Sequence, residues 1–309
     1  AEALHERQLA SIARAIASRQ PSVRLVAVSG PTSAGKTTFA KRLALQVMAQ
    51  GIYPVIISLD DYFVDREATP LDPTGAYDFE ALEALDLALF QSDMCRLMAG
   101  EEVLLPRYNF KTGRREVGSP LSIGKNHVIL IEGIHGLNPR LTEGLPESAT
   151  FRVFISAFTQ MNLDKHNRVP TTDTRLLRRI VRDAAHRGYS AAATIGRWNS
   201  VRRGEKNHIF PYQNTADVFF NSALVYELSA LKPLAEPLLL QVEPGTPERL
   251  EANRLMAFLQ WFEPLPDVDL VYIANDSILR EFIGGSVLEN FHPSHWYATG
   301  AMSERIALK

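Results

Sequence analysis

Residues 30–37 read G-P-T-S-A-G-K-T and fit the pattern G-x-x-x-x-G-K-[ST] at each fixed position: Gly30, Gly35, Lys36 and Thr37. That spacing suits the cradling of an anion. Glycines let the backbone curl until successive N–H groups point inward, and a helix that starts at the loop turns its positive dipole end to the same anion. Gly30, Pro31, Thr32, Ser33, Ala34 and Gly35, with Lys36, Thr37 and Thr38 at the helix start, therefore form a candidate site for nucleotide phosphates. In such a site the lysine reaches the outer phosphates and the Thr37 hydroxyl holds Mg2+. The flanks agree. A Val-rich strand-like run, 23–29, precedes the loop, and 37–48 comes after it with Phe39, Leu43 and Val47 at helical spacing.

Two acids stand where a phosphate loop could use them. Asp60, in S-L-D-D-Y-F, ends a strand-like run and could accept the proton of a substrate hydroxyl; a turn acid or a helix N-cap is the competing reading. Asp61 faces the other way if the strand continues. Glu132, at the end of V-I-L-I-E, is placed as a partner for nucleotide-bound Mg2+. His127 and His135 receive no role. Residues 173–187 read D-T-R-L-L-R-R-I-V-R-D-A-A-H-R, with Leu176, Leu177, Ile180, Val181 and Ala184 on one face and Arg175, Arg178, Arg179 and Arg182 on the other. Such a helix is either a solvated basic face or a lid whose guanidiniums close over a moving phosphate. Asp72, Tyr77 and Asp78 lie in a Pro–Gly turn, with Asp78 positioned to cap a helix from about Phe79. Tyr108 and Phe110 flank another turn, as local packing or as a wall for a flat ring.

The elements that must position these groups alternate. Strand patterns at 23–29, 54–59, 127–132, 151–156 and 217–221 are largely continuous apolar runs, as expected of a parallel sheet covered on both faces. Helical patterns at 3–19, 37–50, 79–99, 173–187 and 189–203 lie around and between them. The expectation is an α/β, doubly wound, mostly parallel sheet, with ligands at the C-terminal strand ends, where the loop, Asp60 and Glu132 fall. Residues 101–126 suggest a small antiparallel excursion. Two more helices are expected at 229–240 and 247–262, then an irregular tail with Gly284, Gly285 and Pro293. The simplest division is a catalytic unit over 1–228, N-terminal helix included, with 229–309 as a helical extension packed on the same domain.

Composition narrows the classes. A chain of 309 residues with 46% hydrophobic and 22% charged residues has the makeup of a globular protein with a substantial core. A net charge of −2 argues against a basic coat for nucleic acid. The single cysteine, Cys95, permits no internal disulfide and points to a reducing, cytoplasmic setting. No apolar run approaches the roughly 18 residues that would span a membrane, and the first ten residues are too charged for a signal peptide. Residue 1 is Ala, which leaves room for an upstream segment. Association with a second copy of the chain stays open.

Taken together, the motifs resemble the uridine kinase/phosphoribulokinase family of P-loop kinases. The resemblance runs from about Val23 to Val225 through G-P-T-S-A-G-K-T-T, S-L-D-D-Y-F, D-P-T-G-A-Y-D, L-P-R-Y-N-F, I-L-I-E-G-I, D-T-R-L-L-R-R-I-V-R-D and Y-Q-N-T-A-D-V-F-F. It implies a P-loop NTP hydrolase-like kinase fold with a helical lid, and transfer of a phosphoryl group from ATP, with Mg2+, to a nucleoside 5′-hydroxyl. It implies roles by motif position: Asp60 as base, Asp72 as the acid on the ribose hydroxyls, Tyr108 beside the nucleobase and Glu132 as the Mg2+-linked acid. Arg175, Arg178 and Arg179 match the lid arginines that serve substrate and phosphates. The chain departs from pyrimidine-specific relatives in one motif: where those carry a base-reading His after Y-D-F, this sequence has Gly113, and the Asp of Y-D-F is Asn109. A buried hydrogen bond that selects a base is worth a large discrimination factor, so its loss bears on uridine and cytidine preference. The segments D-R-E-A-T-P, E-G-I-H-G-L-N and I-L-R-E-F-I-G-G-S are similar to a bacterial branch in which the kinase follows threonyl-tRNA synthetase-like accessory domains. Two other readings compete: a kinase of a sugar phosphate, which would need further cations for the substrate's own phosphate, and an ATP-binding regulatory or RNA-associated module without small-molecule kinase activity.

Overall fold

The structure is a computed structural model, and it describes residues 1–73 and 75–293. Thr74 of the Pro–Gly turn, and the part of the C-terminal extension from residue 294 on, lie outside the described residues.

A central sheet of five parallel strands organises the chain. These are β1 (Leu25–Ser29), β2 (Tyr53–Ser58), β5 (His127–Glu132), β6 (Thr150–Ser156) and β7 (Val218–Asn221), in the order β2-β5-β1-β6-β7. β1 is central, and every one of its residues is buried. Its side chains alternate between two cores: Val26 and Val28 join one, Leu25 and Ala27 the other. Both faces are thus covered, which is why the strands read as apolar runs rather than as alternating ones. Register matters for the site. Val28 pairs with Glu132, and Glu132 pairs in turn with Ser58, so β1, β5 and β2 end level with one another. The connections that leave these three strand ends therefore emerge on one rim.

On the first face lie α1 (Glu2–Ser18), α2 (Lys36–Met48), α4 (Thr171–Arg182), α5 (Ala191–His208), α6 (Glu227–Leu240) and α7 (Pro247–Leu259). Residues of all six share one core. α2 buries Phe39, Leu43 and Val47 completely, each contributing about 1.5–3 kcal/mol, and this anchors the helix that opens at the phosphate loop. The other face is covered by α3 (Leu87–Met98) through Phe90, Met94 and Leu97. The expected antiparallel excursion is a hairpin, β3 (Val103–Asn109) and β4 (Arg114–Leu121). Two short turns of helix, α8 (Asp267–Leu270) and α9 (Arg280–Ile283), lie in the tail.

Two expectations change. The helix expected from Phe79 begins only at Leu87, where Asp86 caps it by accepting the Leu89 N–H at 3.0 Å. Asp78 instead accepts the Glu80 N–H at 3.1 Å and closes a local turn. Asp side chains favour such turns over helix interiors, and Pro70, Pro73 and Gly75 keep the preceding chain irregular. The second change concerns α4, which has no solvated basic face: Arg175 and Arg178 are 1% and 0% exposed. Acids from distant elements, Glu205 and Glu227, neutralise them. Among the described residues no helix is long and apolar enough to cross a membrane.

Candidate active site

The loop between β1 and α2 adopts the shape its glycines allow. Ser33 and Gly35 have φ of 57° and 88°, the left-handed region that turns backbone N–H groups toward one side. Gly30 faces the Ile155 carbonyl so closely that a Cβ there would collide with it. The Lys36 ammonium donates to the carbonyl oxygens of Gly30 and Pro31 at 3.0 and 3.1 Å. Burial draws the Lys36 pKa below its ordinary value, and the carboxylates of Glu132, Asp60, Glu281 and Glu80 oppose that shift. Thr37 is exposed at the helix start. Ser33 is buried, and its hydroxyl has no hydrogen-bond partner. A buried hydroxyl without a partner is costly unless a ligand completes it. The loop therefore fits a polyphosphate, and Thr37 and Glu132 are the residues that could hold a phosphate-bound Mg2+. Magnesium seldom takes an all-protein cage, and among the described residues no cluster of three metal-ligating side chains stands ready-made.

Arginines fix the loop from behind. The two Arg175 Nη atoms donate to the two Glu205 carboxylate oxygens at 2.5 and 2.9 Å, and Nη1 also reaches the Thr32 carbonyl at 3.1 Å. Glu205 in turn accepts the Thr32 N–H at 3.1 Å, so one ion pair clamps both sides of that residue. Arg178 pairs with Glu227 and bonds the Ser33 carbonyl at 3.3 Å and the Ser222 carbonyl at 2.9 Å. Burial pushes the Glu227 pKa up while Arg178 opposes it. Both guanidiniums are engaged by these partners and enclosed. Arg179 is more open: its Nη1 stands 3.5 Å from the Thr32 hydroxyl, and Nε donates to Asp183. Beyond α4 a single wide helical turn, 183–187, is closed by Gly188 at φ 68°, and it places Arg187 within electrostatic reach of Asp60.

The carboxylates gather on the strand rim. Asp60 lies in the short turn Leu59–Tyr62 after β2, and its charge acts on Lys36, Glu80 and Glu132. Glu132 is buried and accepts from the Ser58 hydroxyl at 2.9 Å. Burial, then the neighbouring Asp60 charge, raises its pKa, while Lys36 pulls it back. Asp61 faces the hairpin and accepts the Tyr108 N–H at 3.2 Å. Glu80 is a member that the sequence did not single out. Its pKa is pushed up to about 7, chiefly by burial, beside Arg179, Glu205 and Lys36. One of its oxygens is buried without a partner. Only the lack of a side chain at Gly204 lets α5 pack against it. No motif marks Glu80; it arrives through the irregular turns before α3. His135 is buried beside His208, with its pKa lowered to about 4 mainly by burial, and His127 bonds the Gly124 N–H at the far end of β5.

Directly after the turn that carries Asp60 comes Phe63, the first of a group of rings. Tyr108 is buried, with Phe63 and Phe110 at centroid distances of 5.6 and 5.1 Å, and Phe110 is 55% exposed. Arg187 sits over the Phe110 ring at 6.0 Å. Gly113 turns the hairpin at φ 71°, and a Cβ there would come within 2.8 Å of the Arg66 guanidinium. That guanidinium bonds the Phe110 carbonyl at 2.9 Å. Asp72 is buried; one oxygen accepts from Arg203 at 2.8 Å and the other closes the turn through the Ala76 N–H. Alongside, a groove of about 450 Å3 is lined by Arg175, Asn199, Arg202, Arg203, Lys206 and Phe210, among others.

A family model described as "Phosphoribulokinase / Uridine kinase family" matches residues 25–229. Uridine-cytidine kinase B of Dictyostelium discoideum is 27% identical over 195 residues, a match covering 63% of this chain and 72% of that protein. Uridine kinase-like protein 3 of Arabidopsis thaliana is 26% identical over 201 residues, and there the match covers 64% of this chain but only 39% of the longer relative. Among solved structures, a protein described as a candidate fructose transport system kinase from Silicibacter sp. TM1040 superposes with a TM-score of 0.50 at 23% identity, over 69% of this chain and 98% of its own. A likeness at that identity speaks to the fold.

Proposed function

This chain belongs to the phosphoribulokinase/uridine kinase family and is a phosphotransferase of the P-loop kinase fold; from that premise we propose that it transfers the γ-phosphoryl group of ATP to the 5′-hydroxyl of a nucleoside. The observation that carries the acceptor class is the ring group of Phe63, Tyr108 and Phe110, which starts directly after the turn that carries Asp60 and is joined to it by Arg187, whose guanidinium lies over Phe110 and within electrostatic reach of Asp60. A flat heterocycle gains from such a wall, because stacked or edge-on ring pairs add about 0.5–1.5 kcal/mol each beyond buried area. Asp72, fixed by Arg203, suits the ribose hydroxyls as a hydrogen-bond acceptor.

In the reaction Asp60 takes the proton of the attacking hydroxyl. The acceptor oxygen bonds to the γ-phosphorus as the bond to the β–γ bridging oxygen breaks, and ADP leaves with that electron pair. Lys36 meets the outer phosphates once it releases the Gly30 and Pro31 carbonyls. Thr37 and Glu132 would hold Mg2+, which when bound would supply charge neutralisation to the phosphates. Arg179 and Arg187 are the cations on the open side. Arg175 and Arg178 serve substrate and phosphates through the loop that they hold. That the extension after residue 228 is part of the same domain is supported by α6 and α7, which share one core with α4.

A second reading has its own observation. The groove with Arg202, Arg203 and Lys206 offers cations to an acceptor that already carries a phosphate, as a sugar phosphate does. A coupled ADP-release assay over the common nucleosides and a set of sugar phosphates separates the two. Nucleoside-dependent release at least about tenfold above the sugar phosphates is expected. Release only with phosphorylated acceptors would transfer the assignment to the groove, and ATP binding without acceptor-dependent release would remove the kinase assignment of this chain.

A further inference from the structure

Residues 277–289 lie beyond the family-matched stretch, yet they pack directly on the phosphate loop. Ile278 and Phe282 are completely buried. Ile278 fills the space over Gly35, where a Cβ would collide with it, and the Phe282 ring lies 5.0 Å from the Arg178 guanidinium. From this fixed base Glu281 reaches the first turn of α2 and accepts the Thr38 N–H at 3.1 Å. That amide is one of the unpaired donors at a helix start to which a phosphate oxygen binds. The Glu281 charge also acts on Lys36 and Lys41. Gly284 and Gly285, at φ 85° and 74°, then turn the chain back, and the Lys41 ammonium ties it down through the Leu288 and Glu289 carbonyls at 2.7 and 2.8 Å. The turn encloses a cavity of about 230 Å3 that opens onto Thr37 and Thr38, with Arg280, Glu281, Gly284 and Ser286 among its walls.

We propose that this segment builds the nucleoside end of the donor site: the cavity takes the ribose and base of the nucleoside triphosphate whose phosphates lie in the loop, and the Glu281 carboxylate holds the Thr38 amide as a stand-in for a phosphate oxygen until the nucleotide displaces it. The inference rests on the reading of the loop as a nucleotide site. Size supports it, because the cavity is smaller than the roughly 300–1,000 Å3 of a whole small-molecule site and suits part of a ligand. The lining supports it too. Glycine backbone at 284 and 285 lets a flat ring approach closely, and Gly285 supplies backbone N–H and C=O groups, those of Gly284 being engaged by Arg280. Charge supports the displacement: a phosphate and a carboxylate cannot accept the same N–H, and Glu281 already faces Glu132.

Calorimetric titration of the full chain with MgATP and with magnesium tripolyphosphate tests both parts. Glu281→Gln is expected to bind both probes about tenfold more tightly, since a neutral amide competes less well at the helix start. Ser286→Trp, which fills the cavity, is expected to lose at least about tenfold for ATP and nothing for tripolyphosphate. Hydrogen exchange on the wild type gives a readout that needs no variant: ATP should protect 284–289 and tripolyphosphate should not. Equal protection by both probes, unchanged ATP affinity in Ser286→Trp, or equal or weaker binding by Glu281→Gln would overturn the proposal. Failure of the loop reading looks different, because the wild type would then bind neither probe, or Lys36→Ala would bind both as well as the wild type does.

Discussion

The proposed donor and acceptor sides of the site are built by opposite means. Around the phosphate loop, arginines and glutamates are paired out of reach of water, with Arg175, Arg178, Glu205 and Glu227 all at most 2% exposed. Around the hairpin, rings stand partly in water, with Phe110 at 55% exposure and the Asp72 partner Arg203 on an open groove. Burial of charge is costly and is tolerated only when each group is bonded. What it yields here is a loop whose backbone is fixed before any ligand arrives, and fixed donors aimed at developing charge need no reorganisation during reaction. The hairpin side has little such constraint, and a half-exposed ring such as Phe110 has room to shift, which on the proposed reading would fit it to one base or another. A rigid phosphate end and an adaptable acceptor end together suit an enzyme whose donor chemistry is invariant and whose acceptor preference can drift.

The proposed base, Asp60, lies in the turn between β2 and Phe63 and its charge acts on Lys36, and the largest effect is expected there. Asp60→Asn should lower turnover by about 10²- to 10⁴-fold while ATP affinity stays within about twofold. Single-turnover kinetics together with ATP titration check it. Turnover near that of the wild type would remove Asp60 from the chemistry and would leave the proposed site without a base.

The donor side can be broken by removing one partner of a buried pair. Glu227→Gln leaves the Arg178 guanidinium enclosed and short of its carboxylate, a change that typically costs about 3–5 kcal/mol. Urea unfolding should show the loss, and ATP affinity should fall with it because Arg178 holds the Ser33 carbonyl. An unchanged urea midpoint would mean that the pair is ornamental and the contrast between the two sides false.

The range of each interaction decides how much of this was legible in the chain. The loop, Asp60 and Glu132 are written locally: glycine spacing, a strand end, an acid after an apolar run. The parallel sheet is written in the apolar strands themselves. The fate of the α4 arginines is not local. Their partners lie 30 and 49 residues away, and the carboxylate at Thr38 comes from 243 residues away, so no spacing rule reaches them. A helix with four arginines in eight residues reads as a solvated face or as a lid until the acids that bury it are known. Glu80 escaped for a related reason, because it sits in irregular chain whose course is set by packing against Gly204 rather than by any periodic pattern. The late start of α3 turns on two competing caps: Ala81, Leu82 and Leu85 continue the helical spacing back from Leu89, so the pattern alone does not separate Asp78 from Asp86, and the structure uses Asp86, just before Leu87, Phe90 and Met94.

The smallest expected effect is also the sharpest probe of the acceptor side. At Gly113 the hairpin has a left-handed residue and no side chain, and the Arg66 guanidinium fills the adjoining space, where its charge acts on Tyr108. A guanidinium carries N–H donors in a planar fork and no acceptor. Placed at the ring wall, it favours a base edge rich in carbonyl oxygens over one that presents an amino group. Arg66→Ala should therefore narrow the kcat/KM ratio between keto-edged and amino-edged nucleosides by about tenfold, the worth of one well-placed hydrogen bond of about 1.4 kcal/mol, with kcat on the better substrate nearly unchanged. Arg66 also braces the Phe110 carbonyl, so a merely structural role predicts something else: equal losses on every nucleoside and a looser hairpin, with the ratio unmoved. The ratio, not the rate, decides whether this side of the molecule selects its substrate by a fixed donor, as the loop does, or by the accommodation of rings alone.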